Sequence, residues 1–566
     1  MKNKLQKVIF VCALALFGLS NNANAQALQW AKAMGGNGNA RGNSIAIDSS
    51  GNVYTIGTFD TTSDFDPGAG VFNLTSQNYE DIFISKLDAS GNFVWAKAMG
   101  GVNSDYGYSI ALDGSGNVYT TGSFNSIVDF DPGAGVANLN ASGGFDIFIS
   151  KLDASGNFVW ANAMGVGGTS WDVSFCIALD VSGNVYTTGI FSDIVDFDPG
   201  AGVTNLTSAG LNDIFISKLD ASGNFVWAKA IGGADTDYGY SIALDGSGNV
   251  YTTGIFGGTV DFDPGAGIAN LTSVGSYDIF ISKLNASGNF VWAKAMGGSG
   301  GEESYSIALD GSGNVYATGV FSDTADFDPG AGIANLTSVG GNDIFISKLD
   351  SSGNFVWAKA MGGMSYDYGN SIALDASGNV YTTGNFEGTS DFDPAAGVAN
   401  LTSAGINDIF ISKLDASGNF VWANAMGGIN IDYGYSIALD GSGDVYTTGF
   451  FQFTADFDPG SGVANLTGWG NNVFVAKYFQ TAIGINNNEY SKDLFSIYPN
   501  PSTGKFSIEF SNQHQITSVE IYNLLGESVF QQQNTNEIDL SSAAKGIYFV
   551  KVYAGEKIYT EKIIVE

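Results

Sequence analysis

Hydrophobic and polar positions along this chain follow one pattern, repeated many times. A run of β-branched and aromatic residues, "YSIALD" (Tyr108–Asp113), is followed by "GSGN" and a second run, "VYTTGSF" (Val118–Phe124). A long polar connection built on Asp-Phe-Asp-Pro comes next. Then "DIFISKLD" (Asp146–Asp153) turns through "ASGN" into "FVWANAMG" (Phe158–Gly165). Apolar runs bounded by Gly, Asn, Asp and Ser are strand signals, and short Gly-containing gaps between them are hairpin signals. Alternation within "DIFISKL" is incomplete: Ile147 and Ile149 face one way, while Phe148 and Leu152 sit among more mixed positions. That is the pattern of a strand packed on both faces. No segment sustains a helical period, so the predicted fold is all-β.

The four-strand unit recurs at a fixed interval. Trp30, Trp95, Trp160, Trp227, Trp292, Trp357 and Trp422 are 65 to 67 residues apart, and the isoleucines of the "SIALD" segments keep nearly the same spacing. Seven repeats of four short strands predict a seven-bladed β-propeller with one sheet per blade. A propeller repeat is usually about 40–50 residues, and the surplus here lies in the DFDP connection. The chain opens with "LQWAKAMGG" (Leu28–Gly36), a copy of the fourth strand, and its last repeat ends on "NNVFVAKYF" (Asn471–Phe479), a copy of the third. The N-terminal strand is therefore expected to complete the last blade and cover its open edge. An open solenoid, the rival arrangement, has no need of this phase offset. The propeller is placed at residues 26–481. A polar linker at 482–493 contains "GINNNEYSKD", and residues 494–566 read as short strands with turn signals, a small β-sandwich.

The first residues change the expected destination. Lys2, Lys4 and Lys7 precede an apolar run, Val8 to Leu19, that is too short to span a bilayer, and Ala23–Ala25 fit a cleavage site. Residues 1–25 read as a signal peptide cut between Ala25 and Gln26; a retained signal anchor is the alternative. No later apolar run reaches spanning length.

Composition then narrows the partners. Net charge is −34, with one arginine, Arg41, and one histidine, His514. Nucleic acid and anionic membranes are poor partners for such a surface, and recognition by clustered arginine forks is nearly excluded. Cys12 leaves with the signal peptide, so Cys176 stands alone and no intrachain disulfide forms. A monomer is expected.

Catalytic motifs are scarce. Gly297–Gly301 matches G-x-S-x-G literally, but it lies between strands and lacks a histidine partner. Zinc chemistry lacks ligands. Paired carboxylates keep a glycan-active hydrolase or lyase open as an alternative, yet near-identical repeats give near-identical environments, unlike an acid and base tuned apart. The residues that break the repeat, Trp171, Cys176, Glu302, Glu303 and Trp469, form no obvious constellation in sequence. "LDGSGN" and "LDASGN" resemble pieces of calcium loops but read mainly as hairpin turns. The DFDP aspartates stand as candidate calcium ligands: Asp64 and Asp66, Asp129 and Asp131, Asp196 and Asp198, Asp261 and Asp263, Asp326 and Asp328, Asp391 and Asp393, and Asp456 and Asp458. Two carboxylates in an extended pre-proline segment suit an oxygen-seeking cation; a solvated turn is the competing reading. Ca²⁺ is the one candidate cofactor.

Two stretches, "IALDGSGNVYTTG" (Ile110–Gly122) and "DIFISKLDASGNFVWA" (Asp146–Ala161), resemble SBBP-type β-propeller repeats, which implies a propeller and little about function. The C-terminal segment is similar to the sorting domain of type IX secretion substrates. That resemblance rests on "YPNPSTG" (Tyr498, Pro499, Asn500, Pro501, Gly504), "IYNLLGE" with Gly526, "GIYFVKV" with Gly546 and Tyr548, and the Lys-Ile-Ile-Val ending. It implies the type IX machinery as a partner and the outside or outer surface of a Gram-negative bacterium as destination. An ordinary terminal β-sandwich is the alternative. The expected function is a non-enzymatic binding or adhesion module for glycan or protein on the DFDP face; a passive surface-coat protein is the third reading.

Overall fold

A computed structural model describes residues 26–165, 171–480, 495–510, 516–523, 528–554 and 557–566. The signal segment with Ala25, the linker and Gly526 lie outside these residues. The chain divides into two compact units, Met1–Thr481 and Ala482–Glu566.

Every described element of the first unit is a strand or turn, in a propeller-like arrangement. One repeat shows the plan. Val173–Leu179, Val185–Phe191, Asp213–Leu219 and Phe225–Ile231 form an antiparallel four-stranded sheet in chain order. A small hairpin, Ile194–Asp196 with Asn205–Thr207, carries the DFDP connection. The second and third strands are buried almost throughout, as their unbroken apolar runs predict.

The first strands line the interior and touch one another in sequence: Ala40–Ile47, Tyr106–Leu112, Val173–Leu179, Tyr238–Leu244, Glu303–Leu309, Tyr368–Leu374 and Tyr433–Leu439. The last meets the first again, so the series closes. A bulge in each strand, as between Gly107 and Ser109, frees main-chain groups from the sheet. The N–H of Ile110 donates to Ser44 Oγ (3.4 Å), Ile177 to Ser109 (3.3 Å), Ile307 to Ser241 (3.3 Å) and Ile45 to Ser436 (3.3 Å). Cys176 takes the place of one serine in this ring, its Sγ 3.9 Å from the Ile242 carbonyl.

The N-terminal strand Gln26–Gly36 pairs antiparallel with Asn465–Gln480, placing Trp30 opposite Lys477 as Trp95 lies opposite Lys86. Trp30 meets Tyr446 edge-on at 6.3 Å, and Trp95 meets Tyr54 in the same way at 6.1 Å. The two ends of the unit are thus joined in one sheet.

In the second unit, a three-stranded and a four-stranded sheet share one buried cluster that includes Ile497, Phe506, Val519, Ile521, Val550 and Ile563.

Candidate functional site

The DFDP loop is built from inside outward. Its phenylalanine is fully buried in every repeat: Phe65, Phe130, Phe197, Phe262, Phe327, Phe392 and Phe457. Phe262 packs edge-on to Phe256 at 5.4 Å and tilted against Phe280 at 5.1 Å. The first aspartate braces the loop from below. Asp261 Oδ1 accepts N–H bonds from Asp263 (3.0 Å) and Ala269 (2.8 Å), and Asp64, Asp129, Asp196, Asp326, Asp391 and Asp456 do the same. The second caps the following turn. Asp263 Oδ1 accepts from Gly265 N at 2.8 Å, and Asp66, Asp131, Asp198, Asp328, Asp393 and Asp458 repeat the bond. One oxygen of each carboxylate is therefore engaged in the loop. Among the described residues no three His, Cys, Asp or Glu side chains gather into a metal-binding group.

The "GSGN" turns use the same device on the opposite rim. Asp113 Oδ1 accepts from Ser115 N and Asn117 N, while Gly116 has φ +79°, which only glycine adopts readily.

The loops that enter the repeats, such as "SDYGY" (Ser104–Tyr108), carry acidic residues too. Their aspartates are interior. Asp105, Asp172, Asp237, Glu302, Asp367 and Asp432 are fully buried, and each lies in the field of a second buried carboxylate that begins a third strand: Asp81, Asp146, Asp213, Asp278, Asp343 and Asp408 respectively. A Gly-Gly dipeptide seats both in every pair except Asp146–Asp172, where Val166 follows Gly165. A Cβ on Gly100 would lie 2.2 Å from the Asp81 carboxyl carbon, so nothing larger than glycine fits, and Gly101 N donates to Asp105 Oδ2 at 2.8 Å. Gly297–Gly301, the apparent nucleophile elbow, is one of these seats: Gly298 N donates to Glu302 at 2.9 Å.

Burial pushes Asp105, Asp172 and Asp237 up to about 7, and Asp367 and Asp432 up to about 6. An unfolded aspartate titrates near 3.9. Between these values the folded chain holds protons that the unfolded chain releases, so stability falls as pH rises from about 4 to about 7. The exposed turn aspartates Asp88 and Asp153 are shifted down by their asparagine partners and act oppositely, losing their contribution below about 4. In chelator, the thermal midpoint is expected to be higher at pH 5 than at pH 8; a higher midpoint at pH 8 would contradict the pairing.

One junction breaks the pattern. Where the last repeat meets the first, Asn472 stands in place of the third-strand aspartate and Ala40 in place of the loop aspartate. A shallow cleft of about 340 Å³ opens there. Its walls are Gly35–Asn37, the first DFDP loop (Asp64, Asp66, Pro67) and Thr467–Trp469 with Asn472. Trp469 is 70% exposed and leans edge-on against Phe453 at 6.3 Å. Asn472 Nδ2 donates to the Trp469 carbonyl at 2.9 Å, which holds this loop in place. Close in sequence, the Arg41 guanidinium lies over the Phe450 ring at 5.4 Å. On the DFDP connections, Val71, Val136, Val203, Ile268, Ile333, Val398 and Val463 are all exposed. Trp469 stands out in the sequence but its partners do not; the one local signal of the cleft is Asn472 in place of aspartate.

In the second unit, the exposed Tyr498-Pro-Asn-Pro turn latches the final strand Lys557–Val565. Asn500 Nδ2 donates to the Lys562 carbonyl (2.6 Å), and its Oδ1 accepts from Ile564 N (3.0 Å). Gly504, at φ +102° and against the Ser541 backbone, admits no side chain. Tyr548 is buried and donates to the Ala544 carbonyl at 2.6 Å. Gly546 opens the strand that carries it.

Comparison with known proteins agrees with this division. Residues 496–566 match the secretion system C-terminal sorting domain, and residues 29–66, 94–127, 226–254 and 356–385 match the β-propeller repeat model. A WD repeat-containing protein, L264 of Acanthamoeba polyphaga mimivirus, is 25% identical over 520 residues, covering 77% of this chain and 36% of that protein. The regulatory protein FlaEY of Caulobacter vibrioides is 28% identical over 130 residues, covering 23% of this chain and 13% of FlaEY. The chain therefore spans well under half the length of either relative. Among solved structures, the WD40 β-propeller domain of Doa1 aligns with a TM-score of 0.39 at 9% identity, covering 80% of this chain and 97% of that domain. The extracellular domain of the putative one component system BT4673 from B. thetaiotaomicron aligns at 11% identity with a TM-score of 0.17, covering 93% of this chain and 92% of that one.

Proposed function

Because this chain carries β-propeller repeats and a type IX sorting domain, and so belongs outside the cell or on its outer surface, we propose that it is a non-enzymatic glycan-binding module. In this reading the first unit is a seven-bladed propeller and the second a β-sandwich that serves export. The observation that carries the binding role is the cleft at the ring closure. An exposed tryptophan offers a flat apolar platform for the C–H face of a sugar, and Asp64, Asp66 and Asn37 supply hydrogen-bonding groups beside it. The exposed aliphatic tips extend an apolar surface around the same rim, where several weak contacts on a polymer add through multivalency.

The experiment is a glycan array with the purified protein, followed by affinity measurement on any ligand found. Trp469→Ala is expected to weaken binding at least tenfold while leaving the thermal midpoint within about 2 °C, since the indole is largely exposed. Unchanged affinity in that variant would remove the cleft from the reading. New reducing ends or double bonds in the glycan would instead identify a polysaccharide-degrading enzyme. No capture of any glycan would favour a passive coat.

A further inference from the structure

Six junctions each bury two carboxylates, five of them on a Gly-Gly seat, and the closing junction carries neither carboxylate. Were each carboxylate only a brace for its own turn, nothing would tie the loss of one to the loss of the other. Their joint absence at Asn472 and Ala40 marks the pair as the working unit. The oxygens point the same way. Among the described residues no hydrogen bond reaches Asp81 Oδ1, Asp213 Oδ1, Asp343 Oδ1 or Asp408 Oδ1, although these side chains are at least 97% buried. A buried carboxylate oxygen without a partner is costly, so a positive group belongs beside it.

We propose that the six paired junctions are divalent-cation sites that take calcium. Two carboxylates give anionic oxygens, and Ca²⁺ completes its irregular all-oxygen shell readily with main-chain carbonyls or water. Softer metals would require His or Cys ligands, and the chain's single histidine, His514, and its cysteines, Cys12 and Cys176, are not among the paired residues. The cation joins the third strand of one repeat to the loop that enters the next, and so stiffens the ring where no disulfide can. A shared proton is the competing solution for the same pair.

The test uses the purified full chain, stripped with chelator at pH 8 and titrated with CaCl₂ by calorimetry, with thermal melts in parallel. Uptake is expected to approach six equivalents, one per carboxylate pair, with a rise in melting midpoint. Asp81→Asn with Asp105→Asn should remove one equivalent. Since that double variant is open to misfolding, the converse change, Ala40→Asp with Asn472→Asp, should add one. Uptake that is absent, with a midpoint that responds to pH alone, overturns the proposal in favour of the shared proton. So does loss of an equivalent from Asp64→Asn with Asp66→Asn while both junction variants keep the native count.

Discussion

A variant lacking residues 26–36 is expected to lose cooperative folding of its first unit. The missing strand pairs antiparallel with the last one along its length, from Gln26 opposite Gln480 to Met34 opposite Val473, with one bulge between Leu28 and Trp30. Met34 is 1% exposed, and Trp30 packs on Tyr446. Burial of one large apolar side chain contributes about 1.5–3 kcal/mol. With Trp30 only half-buried, losing these two removes about 2–4 kcal/mol, against a total stability of about 5–15 kcal/mol for a typical domain. The deletion also uncovers the edge of Asn465–Gln480, an unpaired strand open to edge-to-edge association. No disulfide limits the damage. Urea unfolding followed by tryptophan fluorescence should show a lower, broadened transition, with increased light scattering. A synthetic peptide of residues 26–36 should restore part of the midpoint in trans, and a scrambled peptide should not. A truncated protein that stays monomeric with an unchanged midpoint would mean the ring closes without its N-terminal strand.

That strand was legible in the sequence because a phase offset is visible in letters alone. "LQWAKAMGG" is a fourth strand without its first three, and "NNVFVAKYF" is a third strand without its fourth. The interior carboxylates were not legible in the same way. Asp113 in a "GSGN" turn and Asp105 in "SDYGY" look alike in a list of acidic residues, yet one braces a partly exposed hairpin and the other is fully buried. What separates them is contact between segments 24 residues apart, Asp81 and Asp105, which no local pattern displays. The one local clue is Gly100-Gly101 just ahead of Asp105, a seat that only glycine provides. The cleft around Trp469 arises where the repeat is imperfect, so reading the repeat as a consensus hides it.

The phenylalanine of the DFDP loop, not its aspartates, is expected to dominate stability. Phe262→Ala should cost about 3–5 kcal/mol, the usual range for removing a buried aromatic and leaving a cavity. Phe262 is 0% exposed and contacts Phe256 and Phe280, so its loss unpacks the second and third strands of its repeat at once. Asp261→Ala removes one acceptor shared by two N–H groups in a part-exposed turn and should cost about 1–2 kcal/mol, because water can replace much of what is lost. Asp263→Ala, which caps an exposed turn, should cost less than about 1 kcal/mol. Urea midpoints of the three variants should therefore fall in the order Phe262→Ala, Asp261→Ala, Asp263→Ala, with the first lowest. The reverse order would show that the carboxylates, and not the buried ring between them, hold the loop. The order matters for function because it separates two jobs within one four-residue motif. A loop anchored by its phenylalanine can vary its exposed tip, from Val136 to Ile268, without loss of the fold, and such a tip is free to take part in binding.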